Sequence, residues 1–175
     1  MEYAVLGLLL INAMTIYEIN SAFKQSMSLF YSASYGSLQS AVKKLEKKGY
    51  VSFVESVENG RNKKTFSITE GGAKAFFDWM QEDIPMSKLE VTALSKLHFL
   101  GLVANLDERK KIVKRITTAL EAMIDELEEY DEEINAYQIP ESYQTIFFYQ
   151  AKTLEYGIMA HKAALEWFKK LLSEI

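Results

Sequence analysis

Two short stretches of this 175-residue sequence gather side chains suited to an anionic, hydrogen-bonding partner. The first holds Ser34, Tyr35, Gly36, Ser37, Gln39, Ser40, Lys43 and Lys44, and the second holds Arg61, Asn62, Lys63 and Lys64. Lysines and short hydroxyls contact phosphates, a glutamine can offer a bidentate pair to adenine, and a glycine at a helix start lets backbone N–H groups approach a phosphate closely. The net charge of -4 and pI near 5.3 argue against such a partner only on average. Residues 1–83 carry 9 basic and 9 acidic side chains, while 84–175 carry 11 basic and 15 acidic, so the acidity lies in the second half. Between Ser34 and Lys64 there are 7 basic residues against 3 acidic, a local basic patch. Protein–nucleic acid recognition depends on that local footprint and not on the mean.

Other chemistries lack their residues. There is no cysteine, hence no disulfide, thiolate nucleophile or cysteine-held metal. The two histidines, His98 and His161, stand far apart with no metal-ligand spacing. No Gly-rich phosphate loop and no nucleophile elbow occurs, so the sequence predicts neither an enzyme nor a bound cofactor. The apolar run from Ala4 to Ile11 follows no basic segment and is too short to span a bilayer, which predicts a cytoplasmic protein without a membrane partner.

The elements that must position the two stretches follow from periodicity. Glu2 to Ile11 is continuously apolar, as a buried first helix would be. Thr15 caps a second helix with Glu18 as its capping-box partner, and Ile16, Ile19, Ala22 and Phe23 form its buried stripe. A less regular aromatic segment, Leu29-Phe30-Tyr31, precedes a third helix from Ser34 or Ser37 to Lys48, which Gly49 stops. On that helix Leu38, Ala41, Val42 and Leu45 share one side, and Gly36, Gln39, Ser40, Lys43, Lys44 and Lys47 share the other, with Glu46 near the buried edge. A strand from Tyr50 to Val57, an Asn59-Gly60 turn and a strand from Lys63 to Ile68 make a hairpin. A fourth helix, through Ala75, Phe76, Trp79 and Met80, ends at Asp83-Ile84-Pro85. This order is that of a winged helix-turn-helix, whose third helix enters the major groove while the hairpin touches the flanking backbone.

Pro85 divides the chain into an N-terminal winged helix-turn-helix, 1–84, and a helical C-terminal half, 85–175. The fold class is mainly α with a small β-hairpin. In the second half, helices are predicted over Lys88 to Leu100, Asp107 to Tyr137 and Glu141 to Leu172. Val113, Ile116, Leu120, Met123, Leu127, Tyr130, Ile134 and Tyr137 step by three and four, as do Phe147, Ala151, Leu154, Ile158, His161, Leu165, Phe168 and Leu172. These are coiled-coil seams. Flanking positions Ile112, Ile124, Tyr143, Phe148 and Trp167 would stay exposed on a lone hairpin, so the seams, with Leu154, Ile158, Leu165 and Phe168 on the last helix, are assigned to homodimerisation. Arg109, Lys110, Lys111, Lys114 and Arg115 crowd the start of the middle helix and Glu126, Glu128, Glu129, Asp131, Glu132 and Glu133 its end. This largely opposes the helix dipole, which an antiparallel neighbour would relieve, or the two runs are simply solvated.

Tyr3-Ala4-Val5-Leu6-Gly7-Leu8-Leu9, Tyr17-Glu18-Ile19, Ser37-Leu38 with Leu45-Glu46-Lys47-Lys48-Gly49-Tyr50-Val51, and Lys64-Thr65-Phe66-Ser67-Ile68-Thr69-Glu70-Gly71-Gly72 together resemble the PadR family of transcriptional regulators. The resemblance covers the first 83 residues, and the later helices resemble the larger C-terminal domain of the family's long form. It implies a homodimeric repressor that leaves its double-stranded DNA operator when a small, often aromatic, effector binds. It places DNA contacts on Ser34 to Lys44 and Arg61 to Lys64, with Tyr17 on a phosphate. Two departures stand out: Ile16 where the family commonly has Gly, and Gln39-Ser40 where it commonly has Tyr-Pro, so known operators do not transfer. Tyr31 and His98 are candidates for an effector pocket between the two halves, and His161 for a ligand or pH contact within its seam. The aromatic residues of the second half fit core packing better than a pocket. The rival reading is a helical adaptor whose winged helix binds a protein.

Overall fold

The computed structural model describes residues 1–58 and 61–175, apart from the side chains of Glu58 and Arg61. The predicted Asn59-Gly60 turn lies outside the described residues. Two compact units are formed: Met1–Glu82 with Glu90–Val103, and Asp83–Leu89 with Ala104–Ile175. Around Pro85, residues 83–89 group with the second unit, whereas residues 90–103 group with the N-terminal one.

In the first unit, α1 (Glu2–Ile11) buries Ala4, Val5, Leu6, Gly7, Leu8 and Leu9. A helix apolar on all sides has no solvent face, and this one is the unit's core. α2 (Ile16–Ala22) starts at a capping box: the Thr15 N–H donates to the Glu18 carboxylate at 2.7 Å, and the Glu18 N–H donates to Thr15 Oγ1 at 3.2 Å. It runs on into a wider π-turn, Phe23–Met27, that turns Phe23 and Met27 into the core, so the irregular segment begins only after Met27. α3 (Tyr35–Lys47) opens at Ser34, whose hydroxyl accepts from the Ser37 N–H. It closes in a Schellman motif, with Gly49 at φ 70°, the Gly49 N–H on the Glu46 carbonyl and the Tyr50 N–H on the Leu45 carbonyl, both at 2.9 Å.

β1 (Val51–Glu58) and β2 (Arg61–Ile68) pair antiparallel, Val51 opposite Ile68 and Glu58 opposite Arg61. The second strand starts two residues earlier than its apolar pattern indicates. Met14, in the connection from α1 to α2, exchanges backbone hydrogen bonds with Phe66 at 3.0 and 2.8 Å, which covers the outer edge of β2. α4 (Glu70–Gln81) begins at Thr69, whose side chain accepts from the Gly72 N–H and donates to the Gly49 carbonyl. One side chain thus ties the stop of α3 to the start of α4.

α5 (Leu89–His98) explains the shifted boundary. Phe99, just after it, lies against Gly7, where any Cβ would come within 2.7 Å of the ring, and packs edge-on to Phe76. Lys96 is fully buried, donates to the Glu82 carbonyl and stands over the Trp79 ring, which itself stacks on Tyr3 at 4.9 Å. The second unit is a hairpin of two long helices, α6 (Leu106–Asn135) and α7 (Gln144–Glu174), packed along each other. The ion pairs Lys162–Glu128 and Lys169–Glu121 cross between them, seven residues apart on each helix, as antiparallel pairing in one register requires. Lys162 of α7 thus supplies one basic partner for the acidic end of α6, at Glu128.

Candidate nucleic-acid interface

α3 has the two faces its sequence predicts. Leu38, Ala41, Val42 and Leu45 are buried, while Tyr35, Gly36, Gln39, Ser40, Lys43, Lys44 and Lys47 are exposed. Ser34 is exposed, and with Ser37 it fixes the first turn so that Tyr35 and Gly36 occupy the first two helical positions. The helix N-terminus, with its free N–H groups, therefore lies at the small Gly36, where nothing stands within 4 Å of an added Cβ.

A groove of about 500 Å³ joins this face to the hairpin, lined among others by Gly36, Gln39, Ser40, Lys43 and Lys64. Two sequence stretches some twenty residues apart thereby become one polar surface. Glu46 also lines it and is exposed, correcting its assignment to the buried edge. The reason is helical: Glu46 follows Lys43 by three residues and so shares its face. The face is basic with one acid in it.

The wing residues divide by strand alternation. Asn62 is exposed. Lys64 forms an ion pair with Glu55 at 3.0 Å across the hairpin and lies 4.0 Å above the Phe53 ring, so its charge is shared with its own strand pair. Lys63 is half-buried, and its charge helps hold the Glu18 carboxyl below the usual carboxylate range, chiefly an effect of the Thr15 N–H and hydroxyl. Arg61 pairs through its backbone with Glu58, and its side chain lies outside the described residues. Tyr17, in the first turn of α2, is 74% exposed.

The effector candidates are partly brought together. Tyr31 meets Phe23 edge-on at 5.5 Å and Phe30 at 6.1 Å, and Phe30 meets His98 at 6.3 Å. Tyr31 and His98, 67 positions apart, thus flank Phe30, a residue that spacing alone did not single out. Burial raises the Tyr31 hydroxyl pKa and lowers that of the His98 imidazole, which solvent still reaches. His161 is half-buried on α7, in the second unit.

Of the residues assigned to dimerisation, Val113, Ile116, Leu120, Leu165 and Phe168 are buried within the single chain. Met123, Leu127, Ile134, Leu154 and Ile158 are half-buried, and Tyr130 is exposed. Ile112 and Ile124, expected to stay exposed, are buried, whereas Tyr143, Phe148 and Trp167 are exposed as expected. Trp167 belongs to an outward apolar stripe on α7: Ile146, Tyr149, Tyr156 and Trp167 are all more than half exposed. With Thr153, Ala160 and Ala163 between them, they step by three and four along the side of α7 opposite its seam.

Among the described residues no helix is long and apolar enough to cross a membrane. Residues 5–78 match the transcriptional regulator PadR-like family. The negative transcriptional regulator PadR of Bacillus subtilis is 24% identical over 177 residues, spanning 100% of this chain and 97% of that protein. Among solved structures, Bacillus subtilis PadR in complex with operator DNA aligns at 23% identity with a TM-score of 0.47, covering 99% of this chain and 97% of the other. The same regulator in complex with p-coumaric acid aligns at 22% identity with a TM-score of 0.42, covering 99% and 93%.

Proposed function

We propose that this chain is a cytoplasmic, homodimeric repressor of the PadR-like family, whose model residues 5–78 match, and that it reads an operator with α3 and its wing. The observation that carries the reading is the joined surface of α3 and β2, where Gly36, Gln39, Ser40 and Lys43 face one groove with Lys64. Lys43, Lys44 and the α3 N-terminus are suited to phosphates, and Gln39 to a base edge. The sense of regulation rests on the full-length likeness to a negative regulator.

The homodimer is assigned to the outer side of α7. A stripe of Ile146, Tyr149, Tyr156 and Trp167 in three-four spacing, with alanines that permit close approach, is what a second helix would cover. The effector reading rests on the Tyr31, Phe30 and His98 cluster in the DNA-binding unit, whose mutually tilted rings suit a small aromatic acid or phenol, the imidazole supplying a polar contact. His161 is retained as a seam histidine available to the same class of ligand.

The test is fluorescence anisotropy of the purified protein on its own promoter fragment across a salt series. The expected log–log slope corresponds to on the order of 6 to 10 phosphate contacts, and Lys43→Ala with Lys44→Ala reduces it by about 2. Binding that is indifferent to salt and to both substitutions overturns the reading in favour of a protein-binding adaptor.

A further inference from the structure

The second unit contains a larger groove that neither the operator surface nor the α7 stripe uses. It has a volume of about 1010 Å³ and runs between the C-terminal part of α6 and the N-terminal part of α7. Its two walls differ in chemistry. On α6, Glu128, Asp131, Glu132 and Asn135 recur at the i, i+3, i+4 and i+7 positions of one face. On α7 the wall sets the apolar side chains of Phe147, Phe148, Ile158 and Met159 beside the polar Lys152, Glu155 and Lys162.

The charges inside the groove do not cancel. Lys162 pairs with Glu128, and Lys152 pairs with Glu155 while lying 5.8 Å from the Phe148 ring. Two of the four carboxylates are therefore neutralised from within, and Asp131 and Glu132 are left without a cation among the described residues. Such a surface repels anions and gives a neutral apolar molecule no reason to prefer it to any other greasy patch. An apolar body carrying one positive charge satisfies both walls at once, through ring faces on α7 and carboxylates on α6. The volume is at the upper end of the roughly 300–1,000 Å³ typical of small-molecule sites.

The groove is also distinct from the surface assigned to the second copy. At about 100° per residue, Phe148, Lys152, Glu155 and Met159 lie roughly a quarter-turn around α7 from the stripe of Tyr149, Tyr156 and Trp167. A helix seated on that stripe leaves the groove open. We propose that the α6–α7 groove is a binding site for lipophilic aromatic monocations, with Asp131 and Glu132 as the charge-selecting residues and Phe147, Phe148 and Met159 as the apolar platform.

The experiment is isothermal titration of the full-length protein, without DNA, with methyltriphenylphosphonium and with triphenylphosphine oxide, its neutral counterpart. Saturable binding at one cation per chain is expected, at least tenfold tighter than the neutral compound. Asp131→Asn with Glu132→Gln, two carboxylates outside the core, is expected to weaken the cation at least tenfold and leave the neutral compound unchanged. Met159→Glu, which inserts a carboxylate into the apolar wall, weakens the neutral compound. Equal affinity for the two probes, an unchanged cation affinity in the double variant, or no saturable binding each overturns the proposal. If the double variant instead changes the sedimentation coefficient and the cation does not bind, the groove is a contact between copies and the ligand assignment is wrong. No operator is present, so a negative result here leaves the DNA-binding reading standing.

Discussion

Gly71 and Gly72 are adjacent in the first turn of α4, yet replacing each with alanine is expected to change stability in opposite directions. In a helix, glycine to alanine normally stabilises by up to about 1 kcal/mol, because alanine loses less backbone entropy. At Gly71 the added Cβ would meet only Thr69 Oγ1 at 3.8 Å and Tyr50 Cδ1 at 3.9 Å, ordinary contacts, so Gly71→Ala keeps that gain. At Gly72 the Cβ would lie 2.1 Å from the Tyr50 carbonyl oxygen and 2.9 Å from Ile68 Cγ1. The carbonyl must retreat by about 1 Å to restore a permitted separation, and it is the acceptor of the Thr69 N–H at 3.0 Å. Overpacking costs about 1–3 kcal/mol and the weakened hydrogen bond about 1 kcal/mol more, against a propensity gain of at most about 1 kcal/mol. The net expectation for Gly72→Ala is a loss of roughly 1–3 kcal/mol. Urea unfolding followed by circular dichroism measures both variants against the parent. A pair of changes with the same sign, or a Gly72→Ala loss below about 0.5 kcal/mol, refutes the claim that the backbone approach of Tyr50 dictates glycine there.

Thr15→Ala removes the acceptor of the Glu18 N–H and is expected to cost about 1 kcal/mol in thermal or urea unfolding. The Glu18 carboxyl, now held low by Thr15, should move back up toward its ordinary value in a carbon-detected NMR titration, and the stability that it contributes above pH 4.5, lost as pH falls through its folded value, should shrink. His98 should titrate by NMR below 6.5, since burial disfavours the imidazolium. The unfolded chain then binds more protons around pH 6, so the parent loses stability on acidification through that range and His98→Gln loses less. Tyr156→Glu with Trp167→Glu should yield a monomer by analytical ultracentrifugation and weaken operator binding. A dimer that persists moves the interface away from the outer side of α7.

What was legible in the sequence was local chemistry. Thr15 with Glu18, Ser34 with Ser37 and Gly49 each act within a few residues, and each ends or begins its helix where the pattern places it. The order of helices and strands followed from the same local signals. What failed was non-local or two-sided. The grouping of residues 90–103 with the N-terminal unit depends on Phe99 meeting Gly7, a contact across more than ninety positions with no periodic signature. The early start of β2 at Arg61 follows from cross-strand pairing with Glu58, and the apolar pattern is silent there. Glu46 was misplaced because a position at the border of a helical face is decided by its neighbours, here Lys43 and Lys64 in one groove.

The seams illustrate a deeper limit. Three-four spacing states that a stripe will be covered, and not by whom. On α6 and α7 the longest such stripes supply buried residues within a single chain, Ile116 and Leu120 on one helix and Leu165 and Phe168 on the other. The ion pairs Lys162–Glu128 and Lys169–Glu121 then hold the register. Being exposed, such pairs contribute little stability, about 0–1 kcal/mol each, but a shift by one residue would separate both at once. With that seam satisfied, the apolar surface that α7 still exposes includes the opposite stripe, which a polar solvent-facing helix would not carry. A helix apolar on two opposed sides is built to lie between two neighbours. α6 is one of them, and a second copy of the chain is the other under the dimeric reading, which is why substitutions at Tyr156 and Trp167, and not at Leu120, are the discriminating ones.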